Sequence, residues 1–291
     1  GDIDLAHLPA TATHADRLWA WAREGCLRYF GPYEDAMSRH DDGLFHTRVS
    51  ALVNIHRLLP ARLVRDVERL DAPLNSREGF IRQIIGWREY VRHVHEATEG
   101  FTRLPDGDVA RTAQPGDGGY ARWRAHSDDA SEPREPVDAG RAPAAEASFG
   151  GSTVNVLHAR MPLPLAYWGV PSGLACLDHV VQGVWRDAWS HHIPRLMVLS
   201  NIAALLDVDP RELTDWFWVA YMDAYDWVVE PNVLGMGTYA TGPLMTTKPY
   251  VSGAGYIARM SDYCQACAFD PRHSCPLMQL YWAYLARHEA A

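Results

Sequence analysis

Residues 75–97 read NSREGFIRQIIGWREYVRHVHEA. Phe80, Ile84, Trp87, Val91 and Val94 recur at three- and four-residue steps, which predicts a helix over Asn75–Ala97 with a single apolar stripe. Arg82, Arg88 and Glu89 fall off that stripe, and Asn75 with Glu78 has the form of a capping pair. The same period recurs to either side. Leu18, Trp21, Ala22, Cys26 and Phe30 predict a helix over Thr13–Phe30 that Gly31-Pro32 ends, with Cys26 as a packed core thiol. Further helices are expected over Leu174–Trp189, Pro194–Leu206 and Glu212–Tyr225, with Pro194 in a first turn and Asp209-Pro210 introducing the last. Alternating strand patterns are scarce, so the fold class is mainly α.

Between Thr102 and Gly151 the pattern breaks. The stretches QPGDGG and SDDASEPREPVDAG are rich in Gly, Pro, Ser and Asp, which predicts a long surface loop or flexible insertion. The chain therefore divides into 1–101, an insertion over 102–151, and 152–291. Its 291 residues are 47% hydrophobic, enough for a large core. No run is long and apolar enough to span a membrane, and GDIDLAHLPATATHAD has no secretory pattern. The net charge of −9 argues against gripping nucleic acid by bulk electrostatics, although a local basic groove is compatible with it.

Five cysteines, three of them within DYCQACAFDPRHSCP (Asp262–Pro276), point away from a disulfide scaffold and towards a metal site in a reduced, cytoplasmic compartment. Cys264 and Cys267 can reach one centre from a single turn, and Cys275 folds back across the Asp270–His273 turn. The remaining cysteines, Cys176 and Cys26, are the candidates for a fourth ligand. Spacing alone fits zinc or an iron–sulfur cluster.

Seven segments carry a resemblance: FGPYEDAM (Phe30–Met37), EGFIRQIIGWREY (Glu78–Tyr90), LPLAYWG (Leu163–Gly169), HHIPRLMV (His191–Val198), YMDAYDWVVEPNVLGM (Tyr221–Met236), TKPY (Thr247–Tyr250) and YIARMSDYCQAC (Tyr256–Cys267). In this order they resemble the bacterial iron–sulfur branch of the cryptochrome/photolyase family, the (6-4) photolyase-like proteins. The resemblance implies an all-helical FAD-binding domain, with Cys176, Cys264, Cys267 and Cys275 holding a [4Fe–4S] cluster. It implies that both FAD and the cluster are cofactors.

The resemblance also implies roles. His192, with His191 beside it, would handle a proton, and Tyr250 and Asp223 would line the same pocket. Tyr33, Arg82, Trp87, Arg88, Arg195, Asn201, Glu230 and Asn232 would cradle the flavin, Glu230 near its N5 and arginine suiting the pyrophosphate. Trp168, Trp216 and Tyr225 would pass electrons. Three departures stand out, one of them the run VRHVHEATEGF that follows WREY in place of the family's aromatic stretch. The chain has no βαβ pattern at its start, so no antenna chromophore is expected in it. Ser200 replaces a glycine usual before the asparagine of its helix. The expected activity is a light-dependent lyase repairing UV-damaged DNA, (6-4) photoproducts in particular. The alternatives are a flavin/iron–sulfur redox enzyme on a small molecule and a cryptochrome-like photoreceptor.

Overall fold

A computed structural model describes residues 9–111 and 151–289. Its N-terminal half runs α1 (Ala12–Trp21), α2 (Phe30–Tyr33), α3 (Ser50–Asn54), α4 (Pro60–Glu68), α5 (Leu74–Ile81) and α6 (Arg88–Ala97). A hairpin of β1 (Arg103–Leu104) and β2 (Gly107–Asp108) follows. Beyond it come α7 (Ala175–Asp187), α8 (Asn201–Leu205), α9 (Pro210–Ala220), α10 (Asp226–Val229), α11 (Ala254–Met260) and α12 (Pro276–Arg287). No helix among the described residues is long and apolar enough to cross a membrane.

Four stretches widen into π-helix: Ala22–Cys26, Arg82–Trp87, Pro194–Ser200 and Glu230–Gly237. The helix expected over Asn75–Ala97 is thus a run of α5, π and α6. Its stripe is buried as the period requires, with Phe80 2%, Ile84 8% and Val91 2% exposed. The capping pair does not form: Pro73 precedes the first turn, with no side-chain cap.

Other expected boundaries shift for identifiable reasons. The first helix ends with the turn at Cys26, and Phe30 opens α2, which contains Gly31-Pro32. Gly31 serves close approach, since a Cβ there would lie 2.7 Å from the backbone of Asn75 and Ser76. Cys26 is a core thiol, buried and donating to the His46 carbonyl, and burial pushes its pKa up to about 12. Helix α9 begins under Asp209, whose Oδ1 accepts from Arg211 N and Glu212 N, with Pro210 in the first turn. It stops at Ala220, where the Met222 N–H leaves the helix for the Ala188 carbonyl at 2.9 Å. The expected loop over 102–151 opens with the β1–β2 hairpin; its remainder, 112–150, lies outside the described residues.

The apolar faces form two main cores. Trp19, Leu27, Phe30, Leu63, Val67 and Phe80 build one from α1, α2, α4 and α5. The larger packs α7, α8, α9, α11 and α12 around Val184, Leu199, Leu213 and Trp216. Each fully buried Leu or Phe contributes roughly 1.5–3 kcal/mol. Polar ties cross between them. Met37 N bonds the Met260 carbonyl, Asp262 accepts from Arg39 N and Ser38 Oγ, and Asp42 receives His179 and Arg186. A cavity remains where the two layers meet.

Candidate active site and cysteine centre

The cavity has a volume of about 270 Å³. The N-terminal layer supplies His46 to Asn54 and the α5–π–α6 face with Trp87 and Arg88; the C-terminal layer supplies Trp189 to Arg195, Phe217, Tyr221, Asp223 and Asn232.

A polar spine joins these walls. Arg195 donates two bonds to the Asp223 carboxylate, at 3.0 and 2.9 Å, and a third to the Ser190 carbonyl at 2.9 Å. Its guanidinium lies 4.1 Å from the Tyr221 ring centre. Ser50 Oγ donates to the same carboxylate at 2.6 Å, and Asn54 Nδ2 bonds the Asp223 carbonyl at 2.9 Å. Arg88 donates to Asn54 Oδ1 at 2.7 Å and stacks over Trp227. Trp87 Nε1 donates to Asn232 Oδ1 at 2.7 Å. Ser50 and Asn54 are one helical turn apart on α3, so both face Asp223, in the connection between α9 and α10. Burial lowers the pKa of Arg88, with exposed Glu89 the opposing influence. A half-buried guanidinium so placed suits an anionic ligand group.

Three histidines form the adjoining wall. His46 and His191 stack face to face, 4.0 Å between centres and 11° between planes, while His192 meets them edge-on. Their nitrogens fall within 4.8 Å of one another. Nitrogen lone pairs lie in the ring plane, so two parallel rings direct theirs side by side and not onto one ion. Arg48 and Arg195 also act on His191, which disfavours a cation there. The trio is a donor and acceptor set lining the cavity. Burial drives the pKa of His46 to about 3 and that of His191 well below its usual value, so both rings are neutral. His46 Nε2 and His191 Nδ1 are buried without hydrogen-bond partners. His192 differs: it is part-exposed and pairs with Asp35 at 3.6 Å, and that contact lowers the pKa of Asp35.

Of the residues singled out in the sequence, His191, His192, Asp223, Arg195, Trp87, Arg88 and Asn232 line the cavity. Others stand elsewhere. Glu230 points away from it, fully buried, and accepts from Arg211 at 2.6 Å; Arg211 also binds Asp215 at 2.8 Å. Burial raises the Glu230 pKa despite that partner. Tyr33 is on the surface, packed on Phe45, and Arg82 is exposed beside Glu34 and Glu78. Asn201 pins Ser252 through both its amide atoms. Tyr250 is 40% exposed, and Tyr225 precedes α10. His46, Ser50, Asn54 and Tyr221 also line the cavity, and none of them was a candidate site residue in the sequence.

Trp168 and Trp216 belong to a ring series. Trp168 stacks on Trp185 at 5.7 Å, Trp185 meets Trp216 at 6.2 Å, and Trp216 meets Tyr221 at 6.0 Å.

Cys176, Cys264, Cys267 and Cys275 surround a second, small void, closed by Leu174, Ile257, Tyr263, Phe269 and Leu277. Cys176 lies in the first turn of α7 and Cys275 caps α12. Asp270 shapes the return: its carboxylate accepts from Arg272 N and His273 N, and its carbonyl from Cys275 N. Burial pushes the Cys176 thiol up to about 12, and Cys264, Cys267 and Cys275 each raise it further. Such a set favours a bound cation, which takes the thiolates. The thiols do not reach the 4.8 Å mutual spacing that the histidines meet. A zinc ion with bonds of about 2.3 Å would draw the sulfurs to about 3.8 Å from one another.

No family model matches the chain. It is 33% identical over 297 aligned positions to a (6-4) photolyase of Agrobacterium fabrum, covering 99% of this chain and 49% of that protein. An uncharacterised protein of Acanthamoeba polyphaga mimivirus is 39% identical over 66 residues, 23% of this chain and 54% of its own length. Among solved structures, a bacterial class III photolyase from Agrobacterium tumefaciens superposes with a TM-score of 0.57 at 14% identity, over 96% of this chain and 56% of that one. The chain spans about half the length of the (6-4) photolyase it matches. With that similarity running along its whole length and the helical fold shared, the chain is similar throughout to photolyase/cryptochrome-family proteins.

Proposed function

We propose that the chain is the cofactor-binding part of a photolyase-type enzyme that repairs UV-damaged DNA, (6-4) photoproducts in particular, by light-driven electron transfer. The observation that carries this is the cavity between the two cores, where the Arg195–Asp223–Ser50 bonds sit beside a half-buried Arg88 and a histidine wall. The wall fits FAD: Arg88 suits its pyrophosphate, and Asn232, Asn54 and the free His46 Nε2 offer polar edges to a flat heterocycle. FAD, when bound, supplies a light-excitable one-electron donor. The four thiols suit a [4Fe–4S] cluster, as donor type and their spread support.

The protein's own groups divide the remaining work. Asp223, held by Arg195, Ser50 and Asn54, fixes the wall facing the cofactor. His46 and His191 are neutral and supply no proton. His192 can be the donor, because it is part-exposed on the cavity wall and sits 3.6 Å from the Asp35 carboxylate. It would hand that proton to the lesion and recover it when the bond breaks.

The test is purification under anaerobic conditions, absorption spectra for flavin and iron, and blue-light repair of an oligonucleotide carrying one (6-4) photoproduct. His192→Ala is expected to lose repair by at least about 100-fold, the scale of a general acid, while keeping flavin. Reduced, flavin-loaded protein that neither binds nor repairs the lesion would overturn the reading.

A further inference from the structure

Residues 37–48 end in three members of the cavity wall, His46, Thr47 and Arg48, yet they hang from the two segments that carry the cysteines. Three ties hold the near end. Met37 N donates to the Met260 carbonyl at 2.8 Å. The carboxylate of Asp262, two residues before Cys264, accepts from Arg39 N at 2.8 Å and from Ser38 Oγ at 3.3 Å. Asp42 sits on α7, 2.7 Å from His179 Nε2 and bonded also by Arg186. His179 lies three residues beyond Cys176 on the same face of that helix. Its ring meets that of Tyr263, which closes the cysteine void, at 5.2 Å.

The helix is shaped to receive Asp42. A Cβ on Gly183 would lie 3.2 Å from Asp42 Oδ2, so α7 leaves bare backbone where the carboxylate comes in. Burial works to raise the Asp42 pKa, but His179 and Arg186 outweigh it and hold the group ionised. Beyond Asp42 the stretch is braced on itself. Asp41 Oδ1 accepts from Gly43 N at 2.9 Å and from Leu44 N at 3.0 Å, and His46 N donates to the Gly43 carbonyl at 2.8 Å. The Arg48 guanidinium packs on Gly43, stacks over the cavity residue Trp189 at 4.7 Å, and lies 4.0 Å from Asp187 at the end of α7. A displacement at the ties is therefore carried to the cavity wall and not absorbed on the way.

We propose that residues 37–48 couple the cysteine centre to the cavity, with Asp42 and Asp262 as positioning residues. Occupation of the four thiols sets where His46, Thr47 and Arg48 stand, and so how tightly the cavity holds its ligand. This rests on the reading that the cysteines hold a metal group and the cavity holds FAD. A group bonded to all four thiols fixes Cys176 on α7 against Cys264, and these are the two supports from which the stretch hangs. The coupling runs both ways, as linkage between two binding equilibria requires: a filled cavity steadies the wall, and the wall steadies the supports.

The test starts from anaerobically purified protein that carries iron and flavin. The FAD dissociation constant is measured with iron in place and after stripping with EDTA and ferricyanide, and iron retention against EDTA is measured with and without saturating FAD. Stripping is expected to weaken FAD binding by about 5- to 10-fold, and FAD to raise iron retention. Asp42→Asn and Asp262→Ala are expected to keep their iron, to bind FAD about 5-fold more weakly than the unsubstituted protein, and to lose most of the difference that stripping makes. Asp66→Asn is the control. Asp66 accepts from Trp19 Nε1 at 2.7 Å in the N-terminal core and lines neither void, so its loss is expected to lower the melting temperature and leave the iron dependence of FAD binding unchanged. FAD affinity indifferent to iron in the unsubstituted protein would overturn the coupling. Unsubstituted FAD affinity in both iron-loaded variants would overturn the route through residues 37–48, a comparison that holds even where stripped protein unfolds. Protein purified without iron or without flavin would overturn the reading beneath the proposal, and the proposal with it.

Discussion

His46 shows how much a single side chain can escape a sequence and still set the behaviour of a site. It lies between Leu44 and Arg48, both with left-handed backbone (φ 42° and 55°), in a stretch with no helical or strand period. Ser50 and Asn54 follow it, and their partner Asp223 is 173 and 169 residues away. Local pattern has no means of reporting such pairs, whereas Arg195, Asp223 and His192 sit in segments with recognisable motifs. His46 also carries a pH signature. Burial holds its pKa at about 3 against an ordinary 6.5. Below 6.5 the unfolded chain binds a proton that the folded chain refuses, so stability falls as pH drops through that window. The slope approaches about 1.4 kcal/mol per pH unit for this one group, and His191 acts in the same direction. Urea midpoints between pH 7 and pH 4.5 should show it, and His46→Leu should flatten the slope by one proton. An unaltered slope in that variant would show that the ring is already protonated in the folded protein.

At the scale of elements, existence was legible and phase was not. Periodicity marks the helices over 75–97 and 174–189, and both form within a few residues of the expected ends. The π-helical stretches are silent in the sequence, and they change which residue faces where. In Glu230–Gly237 it is Asn232, Val233 and Met236 that line the cavity, with Val229 just before, while Glu230 turns to Arg211. Two such stretches touch. A Cβ on Gly237 would lie 2.7 Å from Ser200 Oγ and 3.0 Å from Ser200 Cβ, so the serine that departs from the family pattern depends on a bare backbone opposite. Gly237→Ala is expected to cost about 1–3 kcal/mol by overpacking. Ser200→Gly should recover most of it in the double variant, as chemical denaturation in a double-mutant cycle would measure. Additive effects would show that the two positions do not meet.

For the whole molecule, the cysteine centre and the cavity draw on distant parts of the chain. Cys176 belongs to the larger core through α7, while Cys264, Cys267 and Cys275 lie in the segment leading into α12. The local three were legible from spacing; Cys176 was chosen over Cys26 by resemblance, and the fold places it with them. Cys176→Ser and Cys275→Ser are each expected to lose iron and to lower the melting temperature by several degrees, since a group held by all four ties α7 to α12. Full iron content in Cys176→Ser would show that three thiolates suffice. The cavity goes further still: one wall comes from Phe30 and residues 46–91 and the other from 189–236. Its decisive bonds close across 145 to 173 residues of chain, as in Trp87–Asn232 and Ser50–Asp223. A ligand site of such long sequence separation cannot exist in any half-folded species. On the proposed reading, cofactor would therefore meet the chain only after both cores have docked. Its presence during refolding should leave the folding rate alone and slow unfolding, so that cofactor acts as a latch on the finished molecule and not as a template for making it.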